Sequence, residues 1–139
     1  MSQLNAYRRD QRGSSAAEFA LVVPVFLGLV LGVIHMSLVV YSAVELHDAT
    51  EWTARCLAVS ANNPPGAATT CPDATQVQTY AAGRYTGPNI SPTFSLVATT
   101  SCTNGTQVSG AGTYNMATGL VNLSIPITAN ACFPYSAPS

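Results

Sequence analysis

Between Phe19 and Val44 the chain carries no Asp, Glu, Lys or Arg. Twenty-six residues at about 1.5 Å of rise each make roughly 39 Å of helix, enough to cross a hydrocarbon core of about 30 Å. What precedes this run is as informative as its length. Arg12-Gly13-Ser14-Ser15-Ala16-Ala17-Glu18-Phe19 sets a basic leader, a glycine and a lone carboxylate directly against the apolar segment. Glu18 therefore sits at a membrane boundary or inside it, where an ionisable group is costly.

Charge elsewhere gives the orientation. Arg8, Arg9 and Arg12 precede the span, and Glu45, Asp48 and Glu51 follow it, so the positive-inside bias places the N-terminus in the cytoplasm and the rest of the chain outside it. After Arg55 the only charged residues are Asp73 and Arg84, and lysine is absent throughout. A net charge of −1 with no basic cluster beyond the leader leaves no footprint for nucleic acid. A cleaved secretory signal fits poorly. The apolar run is about twice the length of an ordinary h-region, and Tyr41-Ser42-Ala43 lacks the small residue wanted two places before a terminal Ala.

A short positive leader ending in Gly, a Glu five residues beyond that Gly, and a continuous apolar helix together resemble the class III signal of type IV pilins. Gly13 followed by Ser-Ser-Ala-Ala-Glu-Phe, with the helix running on through Glu45-Leu46-His47-Asp48-Ala49-Thr50-Glu51-Trp52-Thr53-Ala54-Arg55-Cys56, resembles the TadE-like minor pilins, or pseudopilins, of bacterial tight-adherence pili. The resemblance covers about residues 8 to 60. The main pilin of such systems is usually a much shorter chain, so the extra tail points to a minor subunit. The resemblance implies cleavage between Gly13 and Ser14 by a membrane prepilin peptidase. It also implies association with other pilins and pseudopilins, and contact with an inner-membrane assembly platform; cutting there would create an α-amine on Ser14, one helical turn from Glu18, with which that carboxylate is expected to pair. No cofactor and no metal are implied.

Three segments are expected: a cytoplasmic leader over 1–13, a helix over 14–60, and an extracytoplasmic tail over 61–139. The helix divides into a membrane-spanning part near 19–44 and an amphipathic part near 45–60. Asn62-Asn63-Pro64-Pro65-Gly66 is a breaker cluster that ends it. Past the span, Glu45, Asp48, Glu51 and Arg55 share one side, with Glu51 and Arg55 spaced for an i,i+4 pair. Leu46, Ala49, Thr53 and Leu57 lie elsewhere and can carry the tail's core. The segment from Asp73 to Ala82 reads as a short helix with Val77, Tyr80 and Ala81 inward and Gly83 as its stop. Phe94, Leu96 and Ala98 alternate with polar residues, as do Val121, Leu123, Ile125 and Ile127, so both stretches read as strands. Pro126 places the latter at an edge. The stretch from Gly105 to Gly119 is expected to hold a third, short strand and its turns. The fold class is α+β: a long N-terminal transmembrane helix continuing into a small disulfide-stapled antiparallel β domain, type IV pilin-like.

About 80 residues outside the membrane is close to the size at which a core is marginal. Four cysteines on the oxidising side supply reinforcement. Three pairings of Cys56, Cys71, Cys102 and Cys132 are open, and the favoured one joins Cys56 to Cys71 and Cys102 to Cys132. The first of these would staple the end of the helix to the tail, contributing about 3 kcal/mol if its effect is loop-closure entropy.

Each marked feature also has a plainer reading. Ser15-Ala16-Ala17-Glu18 fits a capping box at a helix start. Pro24, Gly28 and Gly32 form a small-residue stripe at i,i+4 spacing where another helix can approach, and Pro24 frees the Ala20 carbonyl, predicting a bend or locally melted turn. His35 and His47 are the only histidines and no Gly-x-Ser-x-Gly occurs, which weighs against a membrane-tethered hydrolase. The expectation is a structural protein of the bacterial inner membrane that carries out no reaction and is itself a peptidase substrate. An uncleaved, signal-anchored extracytoplasmic binding protein is the alternative.

Overall fold

A computed structural model describes residues 12–61, 75–97, 102, 105–117 and 122–134. Helix α1 (Arg12–Ala61) takes up 50 residues. It is followed by helix α2 (Val77–Arg84) and strands β1 (Thr93–Val97), β2 (Gly105–Ala117) and β3 (Asn122–Pro134). The strands form one antiparallel sheet in the order β1-β2-β3. The chain divides into two compact units, Met1–Ser37 and Leu38–Ser139.

α1 begins at Arg12, two residues before the expected bound at 14, and ends at Ala61, one residue past the expected bound at 60. It runs through Pro24 without interruption, so the melted turn expected there does not form. A proline removes one amide donor and leaves the neighbouring hydrogen bonds of the ladder in place, and here those suffice to carry the helix on.

Within the second unit the core gathers Leu46, Ala49, Ala54 and Leu57 of α1, Val77 and Ala81 of α2, and Phe94, Val108, Tyr114, Ile127, Ala129 and Ala131 of the sheet. Small residues dominate the helix's inward face. Ser42, Thr50 and Thr53 are fully buried there, and each hydroxyl donates to the carbonyl four residues back: Leu38 at 2.8 Å, Leu46 at 2.6 Å and Ala49 at 2.7 Å. These local bonds satisfy polar groups that burial would otherwise leave costly.

The sheet explains itself through the same close fit. Val108, Gly110, Gly112 and Tyr114 alternate along one face of β2, opposite Ala131, Ala129, Ile127 and Ile125 of β3. A Cβ on Gly110 would lie 2.7 Å from the Thr50 hydroxyl, and one on Gly112 would lie 2.6 Å from the Ile90 side chain. Glycine is therefore what lets β2 pass beneath α1 and the segment leading into β1. The expectation of a short strand with turns between Gly105 and Gly119 is corrected: β2 is 13 residues long and lies at the centre of the sheet. β3, with Pro126, is an edge strand as expected, and it runs on to Pro134. The opposite sheet face carries Thr93, Ser95, Ser109, Thr113, Asn115, Ser124, Thr128 and Asn130 together with Val97, Ala111 and Pro126, an uncharged and mostly polar surface.

α2 starts at Val77 and ends at Arg84, so Gly83 lies inside it and is not its stop. The amide of Tyr85 caps it onto the Ala81 carbonyl. Val77 and Ala81 are buried as expected, while Tyr80 is half-buried. The Gln78 side chain locks α2 to β1, accepting from the Phe94 amide and donating to the Pro92 carbonyl at 3.0 Å. Cys102 and Cys132 form a disulfide with 5.7 Å between their Cα atoms, tying the segment before β2 to the far part of β3. Cys56 is also disulfide-bonded. Its expected partner Cys71 lies outside the described residues, as do the breaker cluster 62–66, Asp73, Ala98 and Val121.

Candidate functional site

The functional question turns on what covers the first unit. From Phe19 to Met36 apolar side chains are exposed around the helix, with Leu21 at 76% and Phe19 at 69%. Helices that are apolar all round belong in a lipid or protein interior. α1 holds a segment long and apolar enough to cross a membrane, with a mean hydropathy of 2.5 over its most apolar window and none of that window buried within the protein.

Gly13 and Ser14 lie in the first turn of α1. The first amides of any helix have no intrahelical acceptor, so opening this turn to an extended form breaks few hydrogen bonds. Glu18 is exposed and one helical turn from Ser14. Because the helix is already formed at Arg12, Ser15 is an interior position. The capping box expected at Ser15–Glu18 therefore does not open α1 in the untrimmed chain. Gly28 and Gly32 face open space, with nothing within 4 Å of a Cβ built on either. With the exposed Pro24 they form an uncovered stripe along the helix.

In the second unit α1 becomes two-sided. Leu46, Ala49, Thr53 and Leu57 are buried, as the sequence pattern indicated, and His47, Asp48, Glu51 and Arg55 are exposed. Glu45 departs from its charged neighbours: it is half-buried and accepts a hydrogen bond from the Thr86 hydroxyl at 2.7 Å, which ties the segment after α2 to α1. The expected Glu51–Arg55 pair does not form. Glu51 lies 3.9 Å from His47, with both side chains well exposed, while the Arg55 guanidinium lies 5.8 Å from the ring centres of both Trp52 and Phe133. Stacking on two flat rings holds a guanidinium better than one solvent-screened pair one turn away.

Tyr85 is held close by. Its hydroxyl donates to the Pro88 carbonyl at 2.7 Å. Burial pushes its phenol above the ordinary tyrosine value, a hydrogen bond with Ser42 opposes this, and Glu45 and Tyr41 add to the rise. Among the described residues no three His, Cys, Asp or Glu side chains come together to hold a metal. The buried hydroxyls of Ser42 and Thr50 and the ring–guanidinium grouping were not legible as such. The former look like any polar residues in a helix, and the latter joins residues as distant in sequence as Trp52 and Phe133.

No curated protein and no solved structure matches the chain. A family match covers α1 alone, from Gly13 through the apolar segment and into the two-sided part. Residues 13–55, under a third of the chain, match the family model for TadE-like protein.

Proposed function

We propose that this chain is a minor pilin or pseudopilin: a structural subunit inserted by α1, trimmed between Gly13 and Ser14 by a prepilin peptidase, and packed with other pilins on an inner-membrane platform. The TadE-like match associates the chain with Tad pilus systems, whose TadE-like members are structural rather than catalytic. The observation that carries the reading is the coincidence of that match with a helix whose apolar half finds no cover among the described residues of its own chain.

The packing of the second unit refines where the span ends. Leu38, Val39 and Ala43 pack against the core and Ser42 is buried, so protein contacts begin before the uncharged run is over. Phe19 to Ser37 is about 28 Å of helix, which matches a hydrocarbon core of about 30 Å closely. Glu18 then sits at the inner boundary. Trimming would create an α-amine on Ser14, with a reference pKa of about 7.7 to 8.0, one turn from Glu18 or level with it on a neighbouring helix. A charged side chain at the centre of a membrane helix costs roughly 2.5 to 3.5 kcal/mol on insertion scales and less at the boundary where Glu18 sits, and opposite charges 4 Å apart attract by about 4 kcal/mol at an effective dielectric of 20. Pairing can therefore offset burial, and this links assembly to prior trimming.

The mass of the membrane-bound protein tests the reading. An N-terminus at Ser14 is expected, with Gly13→Val inserted but untrimmed because its side chain obstructs the peptidase. Met1 or Ser2 at the N-terminus of the native protein would instead support an uncleaved anchor. Glu18→Ala is expected to be trimmed yet to co-purify poorly with partner pilins, and normal incorporation would remove its assembly role.

A further inference from the structure

Beyond residue 12 the chain has only two cationic side chains besides its histidines, Arg55 and Arg84. They come from different helices, and both lie against the same indole: the Arg55 guanidinium is 5.8 Å and the Arg84 guanidinium 5.7 Å from the Trp52 ring centre. Arg84 is also 5.4 Å from the Tyr80 ring, donating to its hydroxyl at 3.2 Å, and Arg55 is 5.8 Å from the Phe133 ring. Among the described residues neither guanidinium has a carboxylate within ion-pair distance, although Glu51 is one turn from Arg55. Trp52, Arg55 and Arg84 are exposed. Two like charges drawn to one ring repel each other, and an anion between them would relieve that repulsion.

We propose that Trp52, Arg55 and Arg84 form a binding site for an acidic sugar, a pyranose ring bearing a carboxylate. The guanidinium supplies a planar fork that matches a carboxylate two bonds at a time. Trp52 is 47% exposed, so the part of the indole that the two guanidiniums leave open supplies a flat apolar surface for the C–H face of a sugar ring. A membrane phosphate is the poorer fit on position. Trp52 is 14 residues, about 21 Å of helix, beyond Leu38, whereas the headgroup layer on each side of the hydrocarbon core is only about 5 to 8 Å deep. The sparse positive charge of the tail gives no extended track for a nucleic acid backbone. This site does not depend on filament assembly: it would serve a subunit in a pilus and an anchored protein alike.

Trp52 is the only tryptophan of the chain, so its fluorescence reports on this site alone. The full chain in detergent micelles would be titrated with a galacturonic acid oligomer, a neutral glucose oligomer, inorganic phosphate, and vesicles containing phosphatidylglycerol. The expected result is a saturable change with the galacturonic acid oligomer and none with the neutral one. Arg55→Gln and Arg84→Gln, on separate helices, should each weaken binding about tenfold or more, as loss of a charge-assisted contact requires. Should one variant fail to fold, the other decides. No response to the acidic oligomer, an equal response to the neutral one, unchanged affinity in a folded variant, or a response confined to phosphate or to the vesicles would each overturn the assignment.

Discussion

Two glycine pairs on either side of Ser37 show how one helix serves two purposes. Gly28 and Gly32 have nothing near them, while Gly110, across from the other half of α1, leaves less than 3 Å between a would-be Cβ and Thr50. Gly112 is as tightly met by Ile90. In the second unit one side of the helix is used by its own chain: its Ala, Ser and Thr face is buried against a sheet whose backbone comes close because side chains are missing there. In the first unit the same secondary structure has an apolar surface with no partner among the described residues. The difference teaches that the small residues of 12–37 must answer to lipid or another chain, whereas those of 42–58 answer to the tail.

The largest effect that would break this contrast concerns the tail's staple. Replacing both Cys102 and Cys132 with Ala should destabilise the second unit by about 2 to 5 kcal/mol. The chain-entropy argument gives about 3.5 kcal/mol for their separation of 30 residues. Membrane insertion should be untouched, because the first unit contains neither residue. Thermal unfolding of the tail, with protease protection of the span as the parallel readout, checks both halves. A variant that unfolds at the wild-type temperature would mean that packing, with the disulfide of Cys56, sustains the sheet without this staple.

Exchanging the glycine environments sharpens the contrast further. Gly110→Val forces its side chain into Thr50 and Phe94 and should cost about 1 to 3 kcal/mol, as overpacking does, with no effect on helix association in the membrane. Gly28→Val meets no atom of its own chain, so the tail's unfolding should not change, and any deficit should appear in co-purification with partner pilins. If Gly28→Val lowered tail stability, the independence of the two units would be lost.

Much of this was readable from residue order, for physical reasons that differ by region. The uncharged run and the polar–apolar split after Glu45 are properties of a periodic helix, and local order suffices to see them. Pro126 announced an edge because it cannot donate to a ladder. β2 was misread because Gly105 to Ala117 holds few of the β-branched and aromatic residues that mark a strand. Its glycines are there for Thr50 and Ile90, residues that only the tertiary fold brings alongside. Arg55 illustrates the same limit. Glu51 is the obvious partner by spacing, but Phe133, on β3, cannot be anticipated from the helix alone. At the candidate site, Gly13 and Glu18 stood out through their order against the apolar run, whereas the second cation on Trp52 comes from α2 and had no local signature.

The smallest expected effect is one of pH. The span offers nothing to titrate from Phe19 to Ile34, whereas the second unit holds a half-buried tyrosine whose ionisation the fold opposes. There Tyr85 holds its proton above the ordinary value, chiefly because burial disfavours the phenolate. The negative charges that Glu45 and Tyr41 can carry act in the same direction, and the hydrogen bond with Ser42 works against them. In the window above the reference tyrosine value of about 10, the unfolded chain has begun to release this proton while the folded chain keeps it. The unfolded state then binds fewer protons, so stability falls as pH rises. Tyr85 therefore contributes its full share below that window and loses it as pH climbs through the folded value. Tyr85→Phe should flatten this decline relative to wild type while lowering stability at neutral pH, since it gives up the hydroxyl's bond to the Pro88 carbonyl. Unfolding temperatures of both proteins between pH 8 and pH 11 give the comparison, with the remaining tyrosines common to each. Curves that run parallel across the range would show that Tyr85 is no more protected from ionisation in the fold than in the open chain.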